Sequence, residues 1–453
     1  MKAALLNPLS PYFERRRFAR QSSAFPSGLG YIAGYLRQKG HTAAIYIPDT
    51  RSMPMKRVWA RLEEFKPDVI GISAVTSNFM QAQEAAAEAK RRFGCLVIMG
   101  GPHPTALPRS TLESLPGLLD AVILGEGELP MAAIGEAFDK SGKVDFAGIP
   151  GAAFLKDGKY VETPRPEFIA DLDSLPYPAL DLLDGGFESR ATGKILTSRG
   201  CPGQCTFCAN IGLGRKFRPH SPERVVAEIS HMVKEYGTRN FHIHDDCFTA
   251  DPARVAKICD LILWKGLRIN WDAAGRVNTL LDEELIIKMK KAGCSAMQLG
   301  IETGNQRIND LIKKGTTLEM AEKCCALLRK HGINCFNSFI IGNESETART
   351  VDETIAFAKK LRATFSAFSI LNPLPGTPIF DKYYKEFDRP DTDWSHWTDQ
   401  WGTRPCAPRQ TALSARQLQW LMVWAYVRYY INPTQLFRFL KFAVELTASE
   451  GKE

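Results

Sequence analysis

Short apolar runs alternate with segments of helical periodicity through the first 140 residues. The runs lie at 2–7, 42–48, 68–74, 95–101 and 121–127, and helix-like patterns fill 27–39, 55–65 and 79–92. Near-continuous apolar strands separated by amphipathic helices predict a parallel, doubly wound sheet of the flavodoxin-like (Rossmann-type) kind. Ligands of such folds sit beyond the C-terminal ends of the strands. Three of those ends carry small or polar residues: Ser73, Thr76 and Ser77; Gly100, Gly101 and His103; Gly125, Glu126 and Gly127. Adjacent glycines let backbone N–H groups come close to a large ligand. Each stretch alone is ordinary turn chemistry, whereas three along one sheet edge predict a binding site.

Residues 141–190 are dense in Pro and Gly and read as a linker with a small hairpin at Asp157-Gly158. A second βα series follows over 191–375. Its strand candidates are 194–199, 240–245, 270–275, 296–302, 334–342 and 367–373. The helix at 222–236 is the clearest: Ser221 is a candidate N-cap, Pro222 fits the first helical position, and Val225, Val226, Ile229, Met232, Val233 and Tyr236 form one stripe. Six βα units fall short of a closed eight-stranded barrel, so an open, partial (β/α)6 barrel is expected. Residues 376–453 lose the strand pattern and read as a helical C-terminal domain.

Composition narrows the class. The chain of 453 residues is 44% hydrophobic and 24% charged, as expected of a soluble protein of two or three domains. A net charge of +8 is spread thinly, which argues against a nucleic-acid partner. The start, MKAALLNPLSP, reads as a buried strand and not as an export signal. No apolar stretch approaches the roughly 18–20 residues of a membrane span. Eleven cysteines without a paired framework point to a reducing, cytoplasmic setting.

Three of those cysteines decide the chemistry. TSRGCPGQCTFCAN places Cys201, Cys205 and Cys208 within eight residues, after the first strand of the second series. Structural zinc wants four protein ligands. Cys324 and Cys325 are adjacent on a predicted helix, and Cys247, Cys259, Cys294 and Cys335 are isolated and read as core thiols. A thioredoxin-like pair would need its own fold. Three thiolates instead suit a [4Fe–4S] cluster with one iron left open.

The Cx3Cx2C spacing, with Phe207 before the last cysteine, on the first loop of a βα barrel, resembles the radical S-adenosylmethionine (SAM) superfamily. The resemblance implies that the open iron chelates SAM and that an external electron donor of flavodoxin or ferredoxin type feeds the cluster. Electron transfer then cleaves SAM to a 5′-deoxyadenosyl radical. FHIHDDCFT (241–249) is similar to the second-strand motif, making Asp245 and Asp246 candidates for the SAM amine, one of the two being expected to serve only as a helix cap. GIETGNQ (300–306) resembles the segment whose glutamate, here Glu302, faces SAM. Arg276 is placed to partner Glu302 or to meet the SAM carboxylate. In FIIGNESET (339–347), Glu344 stands where the family has Pro, while Glu346 keeps its place. NPLPGTPIF (372–380) resembles the last-strand element.

The first half, with FPSGLGYIAGYLRQKGH (25–41), GGPHPTALP (100–108) and DAVILGEGE (120–128), is similar to the cobalamin-binding domain that precedes many such barrels. With YVRYYINPTQLFRFL (426–440), the likeness runs to the class B radical SAM methyltransferases and the anaerobic porphyrin cyclases. It implies cobalamin at the three strand ends of the first domain. A D-x-H-x-x-G motif is missing, so no histidine of this domain is expected below the cobalt; His103 either lines the corrin edge or packs the turn.

The leading expectation is a cobalamin-dependent methyltransferase acting on an unactivated carbon of a small molecule. The alternatives are a cobalamin-dependent cyclase, oxidoreductase or rearrangement enzyme, and a non-catalytic metal-binding module. Trp394, Trp397 and Trp401 recur at helical spacing and read first as core. The aromatic and basic stretch 416–442 reads as a lid on the barrel, with peripheral membrane contact as the other option.

Overall fold

A computed structural model describes residues 1–9, 26–48, 53–184, 193–209, 214–397, 406, 408–431 and 435. These fall into two compact units. One takes the described residues of 1–184 together with 209 and 374–397; the other takes 193–208, 214–373 and the described residues from 406 onward.

The first unit is built on a seven-stranded sheet: β1 (Lys2–Leu6), β2 (Thr42–Tyr46), β3 (Val69–Ser73), β4 (Leu96–Gly100), β5 (Ala121–Ile123), β6 (Ala152–Lys156) and β7 (Lys159–Glu162), in the order β2-β1-β3-β4-β5-β6-β7. The first five are parallel, and β6 and β7 add antiparallel at the end. Helices Ser27–Gln38, Met55–Phe65 and Phe79–Phe93 lie between strands where the periodicity places them, and a further helix, Glu128–Ser141, follows β5. The strands are apolar along their length because helices cover both faces of a doubly wound sheet.

The expected linker proves to be part of this unit. The hairpin turn at Asp157-Gly158 has positive φ at both residues (50° and 75°), the twist that joins two strands directly, and it pairs β7 with β6, which itself borders β5. Beyond it, Leu172, Leu175 and Leu180 are buried, and the Ala179 and Asp184 amides donate to Gly30 and Ile45 carbonyls at 3.0 and 2.8 Å. Prolines keep this segment extended while its leucines anchor it. Residues 374–397 belong here too. Trp394 and Trp397 sit in a single 3-10 turn and are 3% exposed, so they are core of the first unit and not a face of a C-terminal helical domain. Trp401 lies outside the described residues.

The second unit holds six parallel strands: β8 (Gly193–Ile195), β11 (Asn240–Ile243), β12 (Asn270–Gly275), β13 (Cys294–Glu302), β14 (Asn334–Ile341) and β15 (Phe365–Ile370), in the order β15-β14-β13-β12-β11-β8. A two-stranded ribbon of β9 (Ser198–Arg199) and β10 (Arg218–Pro219) follows β8. This is the open partial barrel that six units predict. Ser221 caps helix Pro222–Tyr236 by accepting from the Arg224 amide at 3.1 Å. At the far edge, helix Ala415–Tyr430 packs Leu418, Leu421, Ala425 and Tyr429 inward. Tyr426 and Tyr430 hydroxyls accept from the Phe368 and Ser366 amides at 3.1 and 3.2 Å, occupying backbone groups of edge strand β15 that a neighbouring strand would otherwise pair. Residues 432–434 and 436–442 of the expected lid lie outside the described residues, and no described helix is long and apolar enough to cross a membrane.

Candidate functional site

The cysteine loop leaves β9 at Gly200, whose φ of 81° lies in the left-handed region and whose Cα faces the Lys216 carbonyl too closely for a side chain. The loop is pinned from below by Asp245, just past the end of β11. Its carboxylate accepts from the Thr197 amide (2.6 Å), the Thr197 hydroxyl (2.6 Å), the Ser198 amide (3.1 Å) and the Ser198 hydroxyl (2.6 Å). Burial pushes the Asp245 carboxyl up from its ordinary range, while these hydrogen bonds work against that shift. Both oxygens are committed to the chain, so Asp245 is a lock on the β8–β9 turn. Asp246 accepts from the Gly200 amide at 3.1 Å and is the acidic residue of the pair that stays accessible. The helix cap expected of one of them falls to Asp251, which accepts from the Arg254 amide at 3.0 Å.

Within the loop, the Thr206 amide donates to the Ile312 carbonyl at 3.0 Å. Cys205 is buried, while Cys201, Phe207 and Cys208 are half-buried. Cys201 is lowered to about 6, chiefly by a hydrogen bond from Cys247, helped by the Gly203 amide at 3.4 Å and the Arg276 guanidinium. Arg276 Nη1 also lies 3.7 Å from Cys205 Sγ. Donors converging on sulfur favour thiolate, the ligand form. Among the described residues no three His, Cys, Asp or Glu side chains stand close enough together to hold one metal ion; a cubane takes one thiolate per iron. The donor set and its environment fit an iron–sulfur cluster.

Glu302 ends β13 at a register shift, with φ 69°. A bulge at a site re-aims a side chain. Its partner is not Arg276 but Lys314, to which it is ion-paired in a buried contact. Burial opposes the Lys314 charge, yet Glu302 and then Cys205 outweigh it and raise that ammonium. Arg276 instead bonds the Lys314 carbonyl and faces Cys205. Glu346 is buried and turned onto its own loop, accepting from the Gly342 and Asn343 amides at 2.5 and 3.0 Å. Neither Lys314 nor Cys247 stands out in the sequence. Lys314 sits in a plain IKKGTT stretch, and Cys247 has the surroundings of an isolated core thiol.

In the first unit the three strand ends are tied together. The Ala74 amide donates to the Gly100 carbonyl at 2.8 Å, and the Gly125 amide to Thr105 Oγ1 at 3.1 Å. Gly101 has φ 105°, and a Cβ there would lie 2.6 Å from the Ala74 carbonyl oxygen. Thr76 and Ser77 are buried in the turn after β3; Ser73, Gly100, Gly125, Glu126 and Gly127 are half-buried. His103 is 1% exposed. It stacks on Phe79 at 3.9 Å, meets Trp394 edge-on at 4.7 Å, and shares a 3.2 Å hydrogen bond with Thr76. Burial lowers it to about 3, so it is neutral. Of its two expected roles, packing is the one these contacts describe. The half-buried backbone at Gly100, Gly125, Glu126 and Gly127, with the Ser73 hydroxyl, leaves these ends partly open to an amide-fringed macrocycle.

Two family models match the chain: the radical SAM superfamily over residues 195–358 and the B12 binding domain over 19–135. A methyltransferase of Pyrococcus horikoshii whose function is uncharacterised is 33% identical over 418 residues, covering 91% of this chain and 89% of its own. The chain belongs to the radical SAM superfamily, in the branch that carries a cobalamin-binding domain. Its cofactors are a [4Fe–4S] cluster, SAM and cobalamin. The anaerobic magnesium-protoporphyrin IX monomethyl ester cyclase of Rubrivivax gelatinosus is 30% identical, covering 79% of this chain and 66% of the cyclase. In fold, the radical SAM methyltransferase TsrM of Kitasatospora setae, solved with cobalamin and a [4Fe–4S] cluster, matches at a TM-score of 0.71 and 19% identity, over 85% of this chain and 78% of that one.

Proposed function

We propose that this radical SAM enzyme transfers a methyl group to an unactivated carbon of a small molecule. The observation that carries the reading is the likeness, over about nine-tenths of both chains, to a methyltransferase relative, with both cofactor domains included. When bound, the cluster with SAM supplies a 5′-deoxyadenosyl radical and the cobalamin a transferable methyl group. Cys201, Cys205 and Cys208 hold the cluster. Phe207, Asp246, Arg276 and Glu302 line the SAM side, with Asp246 taking the amine and Lys314 fixing Glu302. Asp245 holds the loop in place. Ser73, Thr76, Ser77, Gly100, Gly101, Gly125, Glu126 and Gly127 border the cobalamin, with His103 packed behind them. The protein acts by aligning reactants and excluding water and oxygen. An external one-electron donor of flavodoxin or ferredoxin type and a cytoplasmic setting complete the reading.

The cyclase relative favours a second reading, in which cobalamin serves without methyl transfer. Product analysis separates the two. Methylation forms S-adenosylhomocysteine and 5′-deoxyadenosine together in the presence of substrate. Cyclisation or redox chemistry forms 5′-deoxyadenosine without matching S-adenosylhomocysteine.

A further inference from the structure

Three adjacent strands of the partial barrel place polar side chains side by side. Lys194 of β8, His242 of β11 and Asp272 of β12 are direct register partners, so they share one face of the sheet. Phe241 and Ile243 are buried on the opposite, helix-covered face. His244, two residues beyond His242, returns to the same side as Lys194. The contacts that build this group are separate from those that hold the cysteine loop.

The cluster is wired as a chain. Asp272 Oδ1 lies 2.6 Å from His242 Nδ1 and 3.2 Å from Gln298 Nε2. The carboxylate beside Nδ1 orients the ring and turns Nε2 toward His244. His244 Nδ1 lies 3.4 Å from that Nε2. The chain Asp272–His242–His244 leaves His244 Nε2 as the ring nitrogen with no hydrogen bond among the described residues. His244 stays accessible to solvent, yet burial, then Lys194 and His242, lower it to about 4. Lys194, beside it, is lowered by burial alone, and among the described residues its side chain has no hydrogen bond or ion pair. A half-buried cation without a counter-ion is costly unless a ligand supplies one.

We propose that Lys194 and His244 form a substrate site on this face: Lys194 takes an anionic group, a carboxylate or phosphate, and His244 Nε2 accepts a hydrogen bond from an O–H or N–H of the same molecule. His242 and Asp272 are positioning residues. The proposal rests on the methyltransferase reading only in naming the bound molecule as substrate; the anion site stands on its own geometry.

The test uses reconstituted protein with 15N-labelled histidine, the His244 signal being assigned by its loss in His244→Gln. Inorganic phosphate, and separately acetate, is titrated while the His244 pKa is followed by NMR. Either anion is expected to raise that pKa by about one unit. Lys194→Met is expected to raise it without any anion, because a repelling cation is gone, and to abolish the anion response. Lys194→Gln, which keeps a polar end, is expected to do the same, and iron content and circular dichroism verify that both variants fold. No response in the wild-type protein, or an equal response in both Lys194 variants, would overturn the site. So would the same shift produced by SAM alone, which would assign the pair to the cofactor. Failure of the methyltransferase reading would show elsewhere, in cobalt content and SAM-derived products.

Discussion

Lys314 Nζ lies 2.7 Å from Glu302 Oε1, and each side chain is 8% exposed. The pair joins the end of β13 to the segment that passes Arg276 and Cys205. A buried pair loses far more when one member is removed than when both go, because the survivor is left charged and unpartnered. Lys314→Met is expected to cost about 3–5 kcal/mol of stability. Glu302→Gln with Lys314→Met together should recover much of that loss. Urea melts of the two single variants and the double variant measure the coupling. Equal and additive losses would show that the pair is not formed.

Cys247 adjoins Cys201 but is assigned no iron. Alanine at Cys201, Cys205 or Cys208 is expected to abolish cluster assembly and all SAM cleavage. Cys247→Ala should retain about four irons per chain while shifting the cluster's reduction potential upon loss of its hydrogen bond to Cys201. Iron analysis and redox-poised electron paramagnetic resonance read the two outcomes. Loss of iron in Cys247→Ala would make it a ligand.

Neighbouring glycines at the end of β4 are expected to behave differently. A Cβ at Gly100 meets only ordinary contacts, 3.7 Å from the Ile123 carbonyl oxygen, whereas one at Gly101 strikes the Ala74 backbone in a left-handed conformation. Gly100→Ala should bind cobalamin almost as the wild type does. Gly101→Ala should lose about 1 kcal/mol or more of stability and most of its cobalamin. Cobalamin retained after gel filtration, read by its visible absorption, decides between them.

Glu346 provides a pH signature. Burial raises it to about 7 from an ordinary 4.5, against the pull of the Gly342 and Asn343 amides. Between those values the folded chain holds a proton that the unfolded chain has released. Its contribution to stability is therefore largest below pH 4.5 and declines as pH rises to about 7. Glu346→Gln is expected to flatten that decline by about 1–3 kcal/mol. Denaturant midpoints of wild type and variant at about pH 5 and about pH 7.5 bracket the transition; parallel pH profiles would remove Glu346 as the cause.

Most strands of both units are legible in the sequence because fully covered parallel strands are apolar throughout and their helices are amphipathic. The strand Asn270–Gly275 matches its expected bounds to the residue. The cysteine loop is legible from spacing alone, since metal ligands on one loop are local in sequence. Long-range partnerships are not. Charge alone pairs Glu302 with Arg276, but a bulge and the chain between Glu302 and Lys314 bring in the lysine. The 141–190 stretch is deceptive because Pro and Gly mark any extended chain, and only leucines at 172, 175 and 180 hint that this one lies packed. The tryptophans at 394 and 397 keep a helical spacing within a single 3-10 turn, too short to tell the two apart.

The turn that leads to the thiols is held by two buried side chains of opposite charge. Asp245 grips Thr197 and Ser198, and buried Arg254 donates to the Thr197 and His220 carbonyls at 2.6 and 2.8 Å. Two charged groups of opposite sign thus clasp one turn from its two sides, the carboxylate taking its amides and hydroxyls and the guanidinium its carbonyls, so the thiols hang from a strand end whose polar groups are paired within the chain.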